Sequence, residues 1–306
     1  MKNLKSSNAK RRKFSYYLYY TPLVYFLPSI VSRFRLRGIL KDQNSQQEYV
    51  KSRVRYYLKK TSNFEVSNNA KNLSELFWNQ FFKNKQNSHF IDFYLLLQFF
   101  KQKNKVDFIY SKKDYIDSAV AKEHPPYPTF VKSRPINTEN HNSILLKLNQ
   151  VKLFHFINDS KEFENKKNQA VWRGDIRNNS NREYFVKNFH TSSLLDIGQT
   201  SPKQDVPWMK SFMSINNQLD YKFIFCLEGK CISTNLYWAM SSNSVCVMPK
   251  PKFESWFMEG KLKNGVHYIE VKDDFSDAEE KIEFYKNKND KCMEIIYNAN
   301  KFVKQF

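Results

Sequence analysis

Residues 221–251 decide the fold of this 306-residue chain and read YKFIFCLEGKCISTNLYWAMSSNSVCVMPKP. The mainly apolar run 221–227 is typical of a buried strand in a parallel sheet. The hydroxyl-rich triplet 233–235 offers a helix cap, so we predict a helix that continues as far as Met240. The apolar run 244–248 then ends at two prolines, which predicts the next strand.

Strands and helices alternate on both sides of this segment. Further strands are predicted at 170–172, 194–197 and 266–271, and further helices at 182–189, around 208–215, at 253–258 as a single turn, at 277–286 and at 291–303. Asp159 is predicted to cap one more short helix. Two capping boxes, Ser180 with Glu183 and Ser276 with Glu279, mark helix starts. The alternation predicts an α/β fold with a doubly wound parallel sheet.

The N-terminal half is dominated by helical patterns. Helices are predicted at 45–61, 73–85 and 90–102, and short strands at 108–110 and 129–132. The stretch 123–137 contains four prolines, so apart from that last strand it is expected to be irregular.

Positive charge is concentrated at the N-terminus. The chain carries a net charge of +20, and residues 1–60 contribute +13 of it, because fifteen Lys and Arg face only Asp42 and Glu48. Such a segment suits a polyanion, either nucleic acid or the anionic face of a membrane. The uncharged stretch 14–32 contains two prolines and five tyrosines, which favours a membrane-surface patch or a packing segment over a spanning helix or a cleaved signal.

The cysteines and histidines do not predict a metal site. The four cysteines form no CxxC pair and the six histidines occur singly. Unpaired cysteines in apolar runs are typical of a reducing compartment, so we expect a cytoplasmic protein.

Two strand-to-helix junctions carry groups that suit a phosphate-bearing ligand, because helix starts and guanidinium groups both bind anions. The donor-binding candidates are Arg173, Gly174, Arg177, Glu228, Gly229, Ser233, Thr234 and Asn235. Glu228 would accept hydrogen bonds from ribose or sugar hydroxyls. Purely structural roles stay open: the arginines as partners of Asp175, and Ser233 as a helix cap.

At these residues the chain resembles the LpsA-like bacterial lipopolysaccharide glycosyltransferases of glycosyltransferase family 90. The similarity covers roughly the last 180 residues and depends on the order and spacing of several motifs. They are PTFVKSRPI at 128–136, WRG at 172–174, YKFIFCLEG at 221–229, STNLYWAMSSNSVCVMPKPKFESWFMEGKL at 233–262 and HYIEVKDDFSDAEEK at 267–281.

The resemblance implies a GT-B-like architecture with two Rossmann-type lobes and a helical, basic N-terminal region. In that reading, residues 1–62 form a basic aromatic segment that faces the membrane and the acceptor. Residues 63–150 form the acceptor lobe, to which part of the C-terminal helix can cross back. Residues 151–306 form the nucleotide-sugar-binding lobe.

The resemblance also implies an inverting reaction without a metal ion or other cofactor. A UDP-sugar would donate glucose or galactose to a lipopolysaccharide or lipooligosaccharide core, with Arg173 and Arg177 neutralising the leaving UDP. Animal members of the family have an arginine where this chain has Asn235. They also have an aspartate that acts as the catalytic base in the segment that matches 130–136, where this chain has no carboxylate. The catalytic base is therefore unassigned, with Asp175, Asp114 and Glu123 as candidates.

Three functions follow as hypotheses. The first is this hexosyltransferase, peripheral on the inner face of the bacterial inner membrane, with the anionic lipid surface and the core acceptor as partners. The second is a basic nucleic-acid-binding protein, although no nucleic-acid module is found and no nucleic acid is expected as a partner. The third is an inactive relative that still binds sugar nucleotides.

Overall fold

The computed structural model describes residues 2–26, 38, 47–59, 71–72, 88–99, 105–106, 129–136 and 142–306. The chain divides into two compact units, Met1–Lys152 and Leu153–Phe306. The predicted helix 73–85 and the predicted strand 108–110 lie outside the described residues, as do Asp114 and Glu123.

The first unit contains three helices among its described residues, together with short strands. The helices are α1 (Lys2–Phe26), α2 (Gln47–Leu58) and α3 (Ser88–Leu97), and the strands are β1 (Lys71–Asn72), β2 (Lys105–Val106), β3 (Thr129–Val131), β4 (Ser133–Pro135) and β5 (Ser143–Leu145). Strand β1 is antiparallel to β2, and β3 is parallel to β5. The predictions of helix 45–61 and of a strand near 129–132 are confirmed, and helix 90–102 begins and ends earlier than predicted.

The second unit is an α/β structure around a five-stranded sheet. The five strands of this sheet are β6 (Lys167–Asp175), β7 (Leu195–Ser201), β8 (Tyr221–Phe225), β9 (Val245–Met248) and β11 (Ile269–Glu270), and the unit also contains the short strand β10 (Phe253–Ser255). Its helices are α4 (Ser180–Phe189), α5 (Ile215–Gln218), α6 (Leu236–Met240), α7 (Ala278–Lys286) and α8 (Asn289–Val303), with 3₁₀ turns at Phe163–Asn165 and Glu259–Lys261.

The sheet is parallel throughout, in the order β11-β9-β8-β6-β7, which confirms the predicted parallel α/β fold. The chain moves outward from β6 to β7 and then crosses back to β8 on the other side of β6. This reversal is a topological switch point, and ligands of such sheets bind outside the carboxyl ends of the strands at that point. A ligand is therefore expected beside the loops that follow β6, β8 and β9.

One continuous apolar core holds the sheet to its helices. Alternate residues of β8, Phe223 and Phe225, pack with Trp172 of β6 and with Phe185 of α4. The two phenylalanines are fully buried, as is Phe185. Because successive strand residues point to opposite faces, Phe223 and Phe225 lie on the same face of β8, and that face packs against the core. The strand ends are thereby fixed in position.

Three predicted local structures are wrong. The helix around 208–215 is reduced to α5, because the backbone of Trp208 and Lys210 hydrogen-bonds instead to Gln199 at the end of β7. The helical turn at 253–258 is instead strand β10 followed by a turn, in which the Met258 N–H donates to the Ser255 carbonyl. The third is the Asp159 cap, which is replaced by an ion pair.

Asp159 lies in a buried ion pair rather than at a helix start. Its Oδ2 accepts from Lys166 Nζ at 2.7 Å, and both side chains are only 1% exposed. The same ammonium group donates to the Leu219 carbonyl and to Ser244 Oγ. Four polar groups thus satisfy one another, as burial of charge requires.

Candidate functional site

A cavity of about 210 Å³ opens at the carboxyl ends of β8 and β9. It also receives the loop between β6 and α4 and the loop that follows β11. Its polar and charged lining residues are Asn179, Asn181, Arg182, Glu228, Ser233, Lys250, Lys252, Glu259 and Asp273. The cavity occupies the place where parallel sheets of this kind bind ligands.

Arg182, in the first turn of α4, contributes a guanidinium group to the cavity lining. Its Nε donates to the Glu228 carbonyl at 3.0 Å, Nη1 to the Asp175 carbonyl at 3.1 Å and Nη2 to the Leu227 carbonyl at 2.6 Å. These bonds connect the ends of β6 and β8. They use three of the five guanidinium N–H groups, so two remain for a ligand.

Asn179 sets the position of Arg182. It is the N-cap of α4: its Oδ1 accepts from the Arg182 N–H at 2.8 Å, while its Nδ2 donates to the Gly229 carbonyl at 2.9 Å. The predicted capping box placed this cap at Ser180, which is wrong by one residue. The side chain of Asn179 also hydrogen-bonds to the loop after β8, a contact that the local capping-box pattern does not contain.

Gly229 lies against the Arg182 guanidinium. A Cβ built on Gly229 would stand 3.2 Å from Arg182 Nη2, which is tighter than an ordinary contact. The absence of a side chain therefore lets the loop after β8 approach the cation.

Glu228 is a mostly buried carboxyl in the cavity lining. Its Oε1 accepts from the backbone N–H groups of Lys252 and Phe253 at 3.0 and 3.1 Å. Burial raises the pKa of Glu228 to about 7, although those two hydrogen bonds oppose the rise. Because both bonds end on Oε1, Oε2 remains available to accept from a ligand hydroxyl.

Glu259 is a second buried carboxyl of the lining. It accepts from the Ser255 N–H at 2.6 Å, from Ser255 Oγ at 2.8 Å and from the Tyr237 hydroxyl at 3.1 Å. Burial raises its pKa to about 7 as well. These contacts hold the turn between β10 and the following 3₁₀ helix, and the sequence analysis missed this residue.

The hydroxyl-rich triplet contributes to the cavity through Ser233 alone. Ser233 Oγ donates to Asn235 Oδ1 at 2.5 Å, and Asn235 Nδ2 donates to the Phe225 carbonyl at 2.8 Å. Asn235 is the N-cap position of α6 but makes no side-chain capping bond. Thr234 and Asn235 do not line the cavity.

Arg173 lies within β6 rather than in the loop after it. Its guanidinium donates to the Asp196 carbonyl at 2.6 Å and forms an ion pair of 2.7 Å with the Asp196 carboxylate on β7. Only 7% of its side chain is exposed. Gly174 follows directly, where a Cβ would collide with the Trp172 ring at 2.4 Å. Neither residue lines the cavity.

Asp175 and Arg177 pair with each other at the end of β6. Arg177 Nη2 lies 2.5 Å from Asp175 Oδ2, and the pair is substantially exposed. The hydrogen bonds from Arg177 hold the pKa of Asp175 below its ordinary value, which makes this carboxylate a weak base. Arg177 does not line the cavity, and the two other candidate bases fall outside the described residues.

Of the donor-binding candidates, Glu228, Gly229 and Ser233 lie together in the cavity lining. Sequence analysis did not single out the cavity cations Arg182, Lys250 and Lys252, of which both lysines are exposed. The position of Arg182 at a predicted helix start was the available signal, since that is where anions bind. Within the described ranges, no group of three or more His, Cys, Asp or Glu side chains is arranged to hold a metal ion.

Comparison with known proteins identifies the family. The family model for glycosyl transferase family 90 matches residues 131–306, more than half of the chain. The chain is 37% identical over 258 residues to the O-glucosyltransferase LpsA of Dichelobacter nodosus, covering 84% of this chain and 77% of that protein. It is 32% identical over 96 residues to uncharacterized protein 179R of Invertebrate iridescent virus 6, covering 29% of this chain but 8% of that protein. The chain therefore belongs to glycosyl transferase family 90 and is a glycosyltransferase.

Proposed function

We propose that this glycosyltransferase is an inverting, metal-independent enzyme that moves glucose or galactose from a UDP-sugar to a lipopolysaccharide or lipooligosaccharide core. The observation that carries the proposal is the guanidinium of Arg182 in a cavity at the carboxyl ends of β8 and β9. The similarity to an O-glucosyltransferase supports glucose as the first donor to test.

The charges of the cavity suit a nucleotide sugar. The two unused N–H groups of Arg182 would bind the diphosphate, and Lys250 adds positive charge at the rim, where Lys252 forms an ion pair of 3.1 Å with Asp273. Glu228 Oε2 would accept from ribose or sugar hydroxyls, whereas the hydroxyl proton of Ser233 is already donated to Asn235 Oδ1. Arg182 thus takes the role that the sequence suggested for Arg173 and Arg177.

In the proposed reaction, an acceptor hydroxyl attacks the anomeric carbon of the donor from the side opposite UDP. The bond between that carbon and the diphosphate oxygen breaks, and the hydroxyl proton passes to a carboxylate base. Arg182 stabilises the negative charge that develops on the diphosphate. The base is not Asp175 in this proposal, because its ion pair with Arg177 weakens it.

The acceptor would be reached at the inner face of the bacterial inner membrane. The +13 charge of residues 1–60 supports attraction to anionic lipid and to phosphates of the core. Among the described residues, no helix combines the length and the apolar character needed to cross a bilayer. We therefore propose a peripheral association.

A transfer assay tests the proposal. The purified chain is incubated with radiolabelled UDP-glucose or UDP-galactose and truncated lipopolysaccharide, with and without EDTA, and the linkage of the product is determined by NMR. We expect transfer that EDTA leaves unchanged, with inverted anomeric configuration. Loss of transfer in EDTA, or retained configuration, would contradict the mechanism, and UDP binding without transfer to any core acceptor would indicate an inactive relative.

A further inference from the structure

Helix α1 is anchored to the first unit along one face. The Tyr16 hydroxyl is buried and donates to the Asp92 carboxylate of α3 at 2.5 Å. The same carboxylate accepts hydrogen bonds from the Gln150 backbone N–H at 2.9 Å and from Gln150 Nε2 at 3.1 Å. Tyr16 also packs with Ile91 and Val151. These contacts fix the rotation of α1 about its own axis.

The face of α1 opposite Tyr16 carries exposed apolar side chains. Phe14 and Leu18 are 67% and 64% exposed, and Pro22 is exposed as well. Tyr19 is 65% exposed and lies at the flank of this face, between it and Tyr16. A spacing of four residues places Phe14, Leu18 and Pro22 on one stripe. Large apolar side chains gathered on an outward face are typical of an interaction surface.

Charge identifies the partner of this face. Residues 2–26 hold six Lys and Arg and no acidic residue, and all six precede Phe14. Arg11 is exposed on the same stripe, three residues before Phe14, and Lys13 is exposed on another side of the helix. A helix with cations next to aromatic and aliphatic side chains suits the interface of an anionic bilayer.

The composition of the helix favours lying on the membrane rather than crossing it. Among the described residues, no helix is long and apolar enough to cross a hydrocarbon core of about 30 Å, and Pro22 lies inside α1. Tyrosine is also enriched at the membrane interface. The stripe therefore reaches the headgroup region while Tyr16 stays in the protein.

We propose that the outward face of α1, formed by Phe14, Leu18 and Pro22 with Arg11 and flanked by Tyr19, docks on a bilayer that contains anionic lipid. This inference rests on the membrane-surface part of the proposed function and names the residues responsible. It is independent of the donor cavity, which lies in the second unit.

Vesicle sedimentation of the full chain tests the docking face. The parent is mixed with vesicles of phosphatidylcholine alone or with about one third phosphatidylglycerol. We expect binding to the anionic vesicles that added salt weakens. The double variant Phe14→Ser, Leu18→Ser should lower the partition coefficient roughly tenfold or more, and Arg11→Gln should lower it roughly fivefold.

A matched control distinguishes binding through this face from nonspecific vesicle binding by other exposed apolar side chains. Tyr297 of α8 is 66% exposed in the second unit, so Tyr297→Ser should leave vesicle binding unchanged. After subtraction of the parent spectrum, which contains the emission of five tryptophans, the added emission of a Tyr19→Trp variant should shift to the blue when anionic vesicles are added, because the indole enters the interface. Circular dichroism melting of each variant verifies that it is folded.

Several results would overturn the docking face. The first is equal vesicle binding by the parent and the Phe14→Ser, Leu18→Ser variant. The second is a Tyr19→Trp spectrum that does not shift when vesicles are added. The third is a dimer of the parent that the double variant abolishes, while neither protein binds vesicles. The last result would make the face a contact between copies. UDP titration of the same proteins keeps the two proposals apart: UDP binding without vesicle binding removes only this inference, and vesicle binding without UDP binding removes only the donor site.

Discussion

Arg182 and Arg173 differ in what their guanidinium groups contact, and this difference predicts different effects of mutation. Arg182 faces the cavity, whereas Arg173 is engaged by Asp196 away from it. We expect Arg182→Gln to weaken UDP binding about 10- to 100-fold, because charged hydrogen bonds contribute about 1.5–3 kcal/mol each. Isothermal titration calorimetry measures the affinity.

Arg173→Gln is the matched control for this prediction. It should bind UDP within about twofold of the parent while losing stability, because its contacts lie within the sheet. If Arg173→Gln lost UDP binding and Arg182→Gln kept it, the assignment of the diphosphate to Arg182 would be wrong.

Glu228 and Glu259 predict a pH dependence of donor binding. Burial raises the pKa of both carboxyls to about 7, so the cavity gains negative charge as the pH rises through that value. UDP affinity should therefore fall between pH 6 and pH 8. Glu228→Gln should flatten the profile, since its amide keeps an acceptor for the N–H groups of Lys252 and Phe253 without the charge. An unchanged slope in that variant would remove Glu228 from the explanation.

At the scale of elements, the start of α4 depends on Asn179. Its side chain caps the helix and also binds the loop after β8, so Asn179→Ala should cost at least about 1 kcal/mol. This loss corresponds to a fall in Tm of about 3 °C. Ser180→Ala, at the exposed neighbouring position, should leave Tm unchanged. Equal effects of the two substitutions in thermal melts would favour the predicted capping box after all.

Asp196 connects three strands through its carboxylate. It accepts from Arg173 of β6, from Tyr221 of β8 and from Lys210 at 2.8 Å. Burial alone would raise the pKa of Asp196, but these hydrogen bonds outweigh it and lower the pKa to about 2. The carboxylate therefore stabilises the fold above about pH 4, and this contribution is lost as the pH falls towards 2.

The predicted consequence is a stability difference that depends on pH. Asp196→Asn should lower the free energy of unfolding by about 2 kcal/mol at pH 7, and the difference from the parent should shrink towards pH 2. Urea unfolding at a series of pH values measures it, with Asp205→Asn in an exposed loop as the control. A difference that stays constant with pH would show that the ionised form is not what stabilises the sheet.

The long apolar runs allowed most elements of the second unit to be predicted. Runs such as 221–227 and 244–248 are recognisable from local sequence as buried strands, because they are apolar throughout and are closed by turn residues. The predicted helix around 208–215 is wrong because its backbone hydrogen-bonds to β7, a tertiary contact that local pattern does not contain. The contact of Arg173 with Asp196, 23 residues away, is equally absent from local pattern.

For the whole molecule, the family membership and the parallel sheet together support the proposed donor site in the second unit. Sequence alone predicted Glu228, Gly229 and Ser233, because they follow a recognisable strand. It did not predict Glu259, because that residue reaches the cavity through the turn after β10 rather than through a strand end. Non-local assembly of the cavity thus accounts for what sequence analysis missed.

Hydrogen–deuterium exchange of the full chain with and without UDP tests the central claim most directly. If the donor binds at the carboxyl ends of β8 and β9, UDP should slow exchange in peptides that cover 226–233 and 249–253 and around Arg182. Peptides that cover 161–167, at the amino end of β6, should be unaffected. Protection confined to that opposite end of the sheet, or none in the two loops at saturating UDP, would contradict the donor site.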